Sequence, residues 1–377
     1  MNKKICIIGG GPVGLIFACL LQGKYDLSIL DAGRQNAGMD QRALALSNGS
    51  KFVFEHIGIW DEIRSLSIPI NEIHTSQKGT FGRALFTLED TKDEALGYIV
   101  SYSDLLKILK KNVKKESFLE GATVKNVDVE NKKIFYTFKS QELHVPYDLA
   151  VLADGGRTKI KGIDYDKSEI HSEHFALVCQ VKMSKPHDNR AFERFTASGP
   201  LALLPFKDGC YSLVWTGYKE KIQHLYDQNT GEFINSLQNE FGSRAGKFFD
   251  AGERTLFPLI QSRLKELHAE SIIAIGNAAQ IMHPVAGQGL NTGIQDAFLL
   301  YCHLEDYGYD DAIKNLFQHM KQRLADKKPI IDLTMHLASV FNDDVIGINR
   351  LRGLSLLALG TSSLARRKFV KLMSYGK

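Results

Sequence analysis

The run Lys4-Ile5-Cys6-Ile7-Ile8 leads directly into Gly9-Gly10-Gly11-Pro12-Val13-Gly14 and then into the apolar stretch Leu15 to Leu21. Few folds accept that order of a β-branched run, a Gly-x-Gly-x-x-Gly turn and a helix-compatible run. In such a turn Gly9 permits the tight bend, Gly11 lets the backbone approach a pyrophosphate, and Gly14 lets helix pack on strand. The helix N-terminus then faces the phosphates. A second apolar run, Leu27 to Leu30, ends in Asp31, 20 residues past Gly11, where a carboxylate accepts hydrogen bonds from a ribose hydroxyl. A glycine-rich turn beside a solvent-exposed Asp would explain the glycines alone. Strand, fingerprint, helix, strand and acid in sequence favour a dinucleotide site.

Two later segments repeat the strand-to-polar-turn pattern: Tyr147 to Ala153 runs into Asp154-Gly155, and Ser271 to Ile275 runs into Gly276-Asn277. Continuous apolar runs of this kind suit parallel strands covered on both faces. From about 70 to 97 and from about 170 to 260 the runs are shorter and alternate, as in Phe175 to Val181, which fits a sheet with one face in a core and the other toward water or a ligand. The predicted architecture is α/β: a Rossmann-like nucleotide-binding lobe of three discontinuous segments (1–70, 98–168, 266–335), an inserted, mostly antiparallel β substrate lobe (71–97, 169–265), and a helical C-terminus (336–377).

With 377 residues, 44% hydrophobic and 24% charged, the chain can build two cores and is neither disordered nor fibrous. Its net charge of +4 gives no reason to expect a nucleic-acid partner. The charge is unevenly placed. From Val345 to Lys377 there are seven basic residues and no acid, so the chain upstream carries a net −3. Leucines from Leu354 to Leu364, with Phe369, Val370 and Leu372, accompany Arg366, Arg367, Lys368 and Lys371, a pattern of basic amphipathic helix suited to anionic lipid headgroups. The competing reading is a helix packed on the protein with its cations solvated. The apolar part of this tail is about a dozen residues, short of the ~20 that span a bilayer. Cys6, Cys19, Cys179, Cys210 and Cys302 are scattered, as expected of reduced thiols in a cytoplasmic protein. No metal site is expected: His171 and His174 have HxxH spacing without a third ligand nearby.

Beyond these patterns, the chain resembles the flavoprotein aromatic hydroxylases, within them the ubiquinone-biosynthesis branch, and there most closely the 2-polyprenyl-6-methoxyphenol hydroxylases. The resemblance rests on Gly9 to Gly14, Arg42-Ala43-Leu44-Ala45-Leu46, Ala153-Asp154-Gly155, and Gly276-Asn277-Ala278-Ala279-Gln280 continuing through His283 to Asn291. The run Arg190 to Thr196, followed by Gly199 to Pro205, belongs to it as well. It implies FAD as cofactor, with Gly9, Gly11, Gly14 and Asp31 on the ADP half, Arg42 at the phosphates and Val124 offering backbone to the adenine. Asp154 and Gly155, with Asn277, would lie near the phosphates and ribityl chain, and Gly287, Gln288, Gly289, Leu290 and Asn291 against the isoalloxazine. Most aromatic hydroxylases carry Gly-Asp-Ala-Ala-His where this chain has Gly-Asn-Ala-Ala-Gln, a departure shared with the ubiquinone branch; Asn277 still offers hydrogen bonds but no charge.

The same resemblance implies the reaction. NAD(P)H is a transient co-substrate, in keeping with a single dinucleotide fingerprint, and O2 with reduced FAD forms a C4a-hydroperoxide that hydroxylates a polyprenylated phenol in ubiquinone biosynthesis. The implied partners are that polyprenylphenol, O2, a membrane surface at the inner face of the membrane, and other proteins of the pathway. The competing readings are another flavin oxidoreductase of the same fold, a prenyl reductase or halogenase, or a non-catalytic flavin-binding subunit. The sequence offers no Ser/His/Asp triad or paired carboxylates, and no catalytic residue is assigned. His283 fits a loop residue better than a proton handler. Glu193 and Arg194 would either touch the pocket or form an exposed cross-strand pair.

Overall fold

The computed structural model describes residues 2–33, 40, 42–80, 82–158, 170–197, 199–243, 245–263, 268–269, 271–281, 287–316, 318, 322–323 and 356–375. Lys4–Ile8 is the centre of a six-stranded sheet ordered His268–Ala269, Ile272–Ala274, Leu149–Leu152, Lys4–Ile8, Asp26–Asp31, Phe118–Glu120. All its pairings are parallel except the edge pair of His268–Ala269 with Ile272–Ala274. The continuous apolar runs are therefore covered on both faces: Ile5, Ile7, Leu149, Val151 and Ile273 are buried. The fingerprint helix, Pro12–Leu21, and the long helix Gln288–Lys314 pack together beside this sheet.

A second sheet of nine strands contains Glu72–Gln77, Arg83–Thr87, the six strands from Ile170–Met183 to Thr255–Arg263, and Gln280–Ile281. Its pairings are antiparallel except that of Arg190–Thr196 with Glu72–Gln77. The α/β class, the nucleotide-binding lobe, the mostly antiparallel inserted sheet and the helical C-terminus all match the expectation from sequence. Two-residue alternation sorts this sheet into two faces. Leu177, Leu203, Leu213 and Trp215 bury against Phe233, Leu237 and the helices Lys219–Asp227 and Thr230–Phe241. The alternate residues Ala176, Ala202, Leu204 and Val214 look the other way, into a cavity.

The C-terminal helix, Ser363–Tyr375, closes the far side of that cavity. Phe369 stacks on Phe86 with ring centroids 5.2 Å apart, and Val370 is buried in the same cluster. Arg366 does not face solvent as a free cation: its Nε lies 3.0 Å from both carboxylate oxygens of the buried Asp90. The helix thus has two stripes at i, i+3, i+4, i+7 spacing. Arg366, Phe369, Val370 and Met373 face the protein; Leu364, Arg367, Lys368 and Lys371 are exposed. The remainder of the basic segment, including Arg350, Arg352 and Lys377, lies outside the described residues.

Candidate functional site

One cavity of about 1640 Å³ extends from the fingerprint turn to the C-terminal helix. That is larger than the ~300–1,000 Å³ of a pocket for one ligand, and leaves room for a dinucleotide with a second molecule. Of the fourteen residues expected at the cofactor site, thirteen line it: Gly9, Gly11, Asp31, Arg42, Val124, Asp154, Gly155, Asn277 and Gly287 to Asn291. Gly14 does not. It sits beneath the turn, where a Cβ would lie 2.1 Å from the carbonyl oxygen of Gly9. His283 lies outside the described residues, as does the side chain of His171.

The turn has the shape a pyrophosphate requires. Gly9 adopts φ +115°, and its N–H donates to the Leu30 carbonyl at 2.8 Å, joining the turn to the neighbouring strand. A Cβ on Gly11 would meet nothing within 4 Å, so the space beside that backbone belongs to the cavity. Pro12 opens the helix, and no side chain caps it, which leaves its first-turn N–H groups for a ligand. The long helix Gln288–Lys314 likewise starts from Gly287 without a side-chain cap.

Several expected ligand residues have work within the protein. Asp31 accepts the N–H of Gly10 on one oxygen and that of Gly33 on the other at 2.7 Å, which orders the turn and leaves further lone pairs for a ribose. Asp154 accepts the N–H groups of Gly156 at 3.0 Å and Thr158 at 2.6 Å. Arg42 is held by Asp40 at 2.7 Å and lies between the rings of Tyr102 and Phe257. Asn291 uses both ends of its amide: Oδ1 accepts from Ser47 N–H at 2.9 Å and Ser50 Oγ at 2.7 Å, while Nδ2 donates to the carbonyls of Ala45 at 2.8 Å and Gly287 at 2.9 Å. This clamp ties the turn after Ala43–Leu46 to the start of the long helix.

The apolar half of the cavity lies between the nine-stranded sheet and the C-terminal helix, lined by Ile73, Val178, Phe195, Val214, Phe369 and Met373 among others. Glu193 and Arg194 do not form an exposed pair. Strand alternation sends Glu193 into the cavity and Arg194 to the opposite face, where Nε donates to the Glu240 carbonyl at 3.0 Å and Nη1 to Ser76 Oγ at 3.2 Å. Sequence reasoning missed two features: the Asn291 clamp and the C-terminal helix as cavity wall. The second had a signal, the inward stripe at i, i+3, i+4, i+7.

A family model described as FAD binding domain matches residues 2–322. The chain belongs to the FAD binding domain family. Its cofactor is FAD, and the observed turn, open backbone and uncapped helix ends fit a dinucleotide of that kind. Along 98% of its length the flavoprotein is 25% identical to the ubiquinone biosynthesis monooxygenase COQ6, mitochondrial, of Xenopus tropicalis, covering 93% of that protein. It is 24% identical to the 3-demethoxyubiquinol 3-hydroxylase of Escherichia coli K12, over 98% of the chain and 97% of the relative. In fold it is similar to the crystal structure of Klebsiella pneumoniae HpxO complexed with FAD and uric acid, with a TM-score of 0.77 and 14% identity over 98% of this chain and 96% of that one. The resemblance to the ubiquinone-biosynthesis hydroxylases is borne out. The flavoprotein is an FAD-dependent monooxygenase, and use of NAD(P)H is typical of its family.

Proposed function

We propose that this monooxygenase hydroxylates the ring of a prenylated phenol in ubiquinone biosynthesis. The observation that carries the reading is the single cavity that joins the fingerprint turn to a deep apolar chamber. Bound FAD, reduced by NAD(P)H, supplies the activation of O2. The protein's part is to bind, orient and exclude water. Gly9, Gly11 and Asp31 would hold the ADP half, with Gly14 keeping the helix close beneath the turn. Val124, Arg42, Asp154, Gly155 and Asn277 would flank the middle of the cofactor. The uncapped helix start at Gly287 to Asn291 would place positive dipole against the isoalloxazine edge that becomes anionic on reduction. The chamber walls would take the phenol ring and the first isoprene units, since burying each CH₂ of a prenyl chain contributes about 0.8 kcal/mol. The direct test is incubation of the FAD-loaded protein with reduced nicotinamide, O2 and a short-chain 2-prenylphenol. A ring-hydroxylated product is expected, and nicotinamide oxidation that the phenol neither speeds nor diverts into product overturns the reading.

A prenylated phenol resides in the bilayer, and we propose that the protein works peripherally at the inner face of the membrane, beside other proteins of the pathway. Among the described residues no helix is long and apolar enough to cross a membrane. The exposed stripe Leu364, Arg367, Lys368 and Lys371 supports contact with anionic headgroups, each cation there contributing on the order of 1 kcal/mol. Deleting the whole helix would also remove a cavity wall and the partner of Asp90, so charge reversal is the cleaner test. R367E/K368E/K371E is expected to bind anionic liposomes at least tenfold more weakly in sedimentation while keeping its FAD spectrum. Unchanged sedimentation removes this helix from the membrane contact.

A further inference from the structure

Glu193 is the one carboxylate on the cavity-facing side of the nine-stranded sheet among the described residues. Its cross-strand neighbours are Thr75 on Glu72–Gln77 and Ala202 on Gly199–Pro205, and Val214 lies one strand further on. Along its own strand Ala191 and Phe195 share its face, and the C-terminal helix brings Phe369, Val370 and Met373 to the same chamber. None of these neighbours is charged. The charged groups that line the cavity elsewhere, Asp31, Arg42, Lys110, Glu120, Lys125, Asp154 and Arg157, belong to the nucleotide lobe. On the sheet face the other polar groups are the hydroxyls of Thr75 and Thr216, and Thr216 already donates to the Pro200 carbonyl at 3.1 Å. Among the described residues no hydrogen bond or ion pair reaches the Glu193 carboxyl. The side chain retains accessible surface because it opens on the cavity, and its enclosure by apolar protein pushes the carboxyl up to about 7.

A lone carboxyl in an apolar chamber is costly to keep unless something there uses it. We propose that Glu193 is the catalytic base for the substrate phenol: its carboxylate accepts the hydrogen bond of the phenolic O–H and takes that proton as oxygen is added to the ring. The inference rests on the hydroxylase reading above and names the group that anchors the phenol. In the resting complex, transfer from a phenol near pKa ~10 to a carboxylate near 7 is uphill by about a thousandfold. The phenol therefore binds neutral, with its O–H shared with Glu193. During oxygenation the O–H bond breaks and its electron pair moves into the ring, which raises electron density at the ortho and para carbons where the C–O bond forms. The oxygen is that of the flavin-activated O2 of the proposed reaction. As that C–O bond forms the O–O bond would break. The second oxygen, holding one proton and the electron pair from the reduced cofactor, would take up the C–H proton that the ring sheds on regaining aromaticity and leave as water. Glu193 returns the borrowed proton to the phenolic oxygen, ending as it began.

The test pairs E193Q with a measurement on the unmodified holoprotein. Loss of a positioned general base lowers turnover by about 10²–10⁴-fold. E193Q is therefore expected to lose at least a hundredfold in kcat for prenylphenol while binding FAD normally and accepting hydride from NAD(P)H at the same rate. The rise of kcat/KM through pH ~7 that ionisation of Glu193 gives the wild type should disappear with it. In the unmodified protein, a prenylphenol should bind at least tenfold more tightly than its O-methyl ether at pH 8, a preference that shrinks at pH 5.5 as Glu193 is protonated. Wild-type-like turnover with the same pH limb in E193Q, or equal binding of phenol and methyl ether at pH 8, overturns the assignment. The binding comparison decides the matter if E193Q fails to fold. If the wild type gives no hydroxylated phenol at all, it is the hydroxylase reading that fails, whatever E193Q does.

Discussion

Replacing Gly14 by alanine is expected to give protein without yellow colour. The added Cβ would stand 2.1 Å from the Gly9 carbonyl oxygen and 3.3 Å from the Ala153 Cβ, so neither backbone nor side chain on the opposite side leaves it room. The fingerprint helix must draw away from Lys4–Ile8, and with it go the N–H groups proposed to face the pyrophosphate. Overpacking of this kind costs about 1–3 kcal/mol or more, and here it falls on contacts among Leu15, Ala18 and the central strands of the main core. FAD affinity, measured by fluorescence titration of the apoprotein, should fall at least a hundredfold. By contrast Gly11→Ala has space for its Cβ, and should keep the fold while weakening FAD by steric contact with the ligand itself. Equal FAD binding in G14A and wild type would contradict the packing argument.

Asn291→Ala should be nearly as damaging, for a different reason. The change strands the N–H of Ser47, the hydroxyl of Ser50 and the carbonyls of Ala45 and Gly287 in or beside the cavity wall. Each buried group without a partner costs about 1–3 kcal/mol, and since Ser50 can still turn to Ser47 Oγ, 3.4 Å away, the expected loss is about 3–5 kcal/mol rather than the full sum. Denaturant unfolding of the apoprotein reads this stability loss. FAD binding reads the second effect, because the Gly287 end of the long helix loses its anchor to Ala43–Leu46. Apoprotein stability within 1 kcal/mol of wild type would mean that water replaces the amide.

The parts of the molecule that sequence disclosed are those whose signal is local. Lys4–Ile8 and Leu149–Leu152 are continuous apolar runs, and a strand buried on both faces needs nothing else. The glycine spacing likewise carries its own geometry. Glu193 shows where local reading ends. Alternation states that residues 191, 193 and 195 share one face and 192, 194 and 196 the other. Which face meets the ligand is decided by helices at Lys219–Asp227 and Thr230–Phe241, which cover the opposite side. The Asn291 clamp joins residues 241 to 246 positions apart in sequence, and Arg366 meets Asp90 across 276. No spacing rule reaches so far. The basic tail was legible as an amphipathic helix, but its apolar stripe faces Phe86 and the cavity, and only the outer stripe is left for lipid.

The central claim is that oxygen from O2 enters the ring of a prenylated phenol bound in the apolar chamber. Its most direct test is turnover of the FAD-loaded protein with reduced nicotinamide and a short-chain 2-prenylphenol under ¹⁸O₂ in ordinary water, with the product examined by mass spectrometry. The account predicts a catechol or hydroquinone carrying one ¹⁸O atom, formed in step with nicotinamide oxidation. A product with oxygen from water, or nicotinamide oxidised only to peroxide with the phenol returned unchanged, would contradict it.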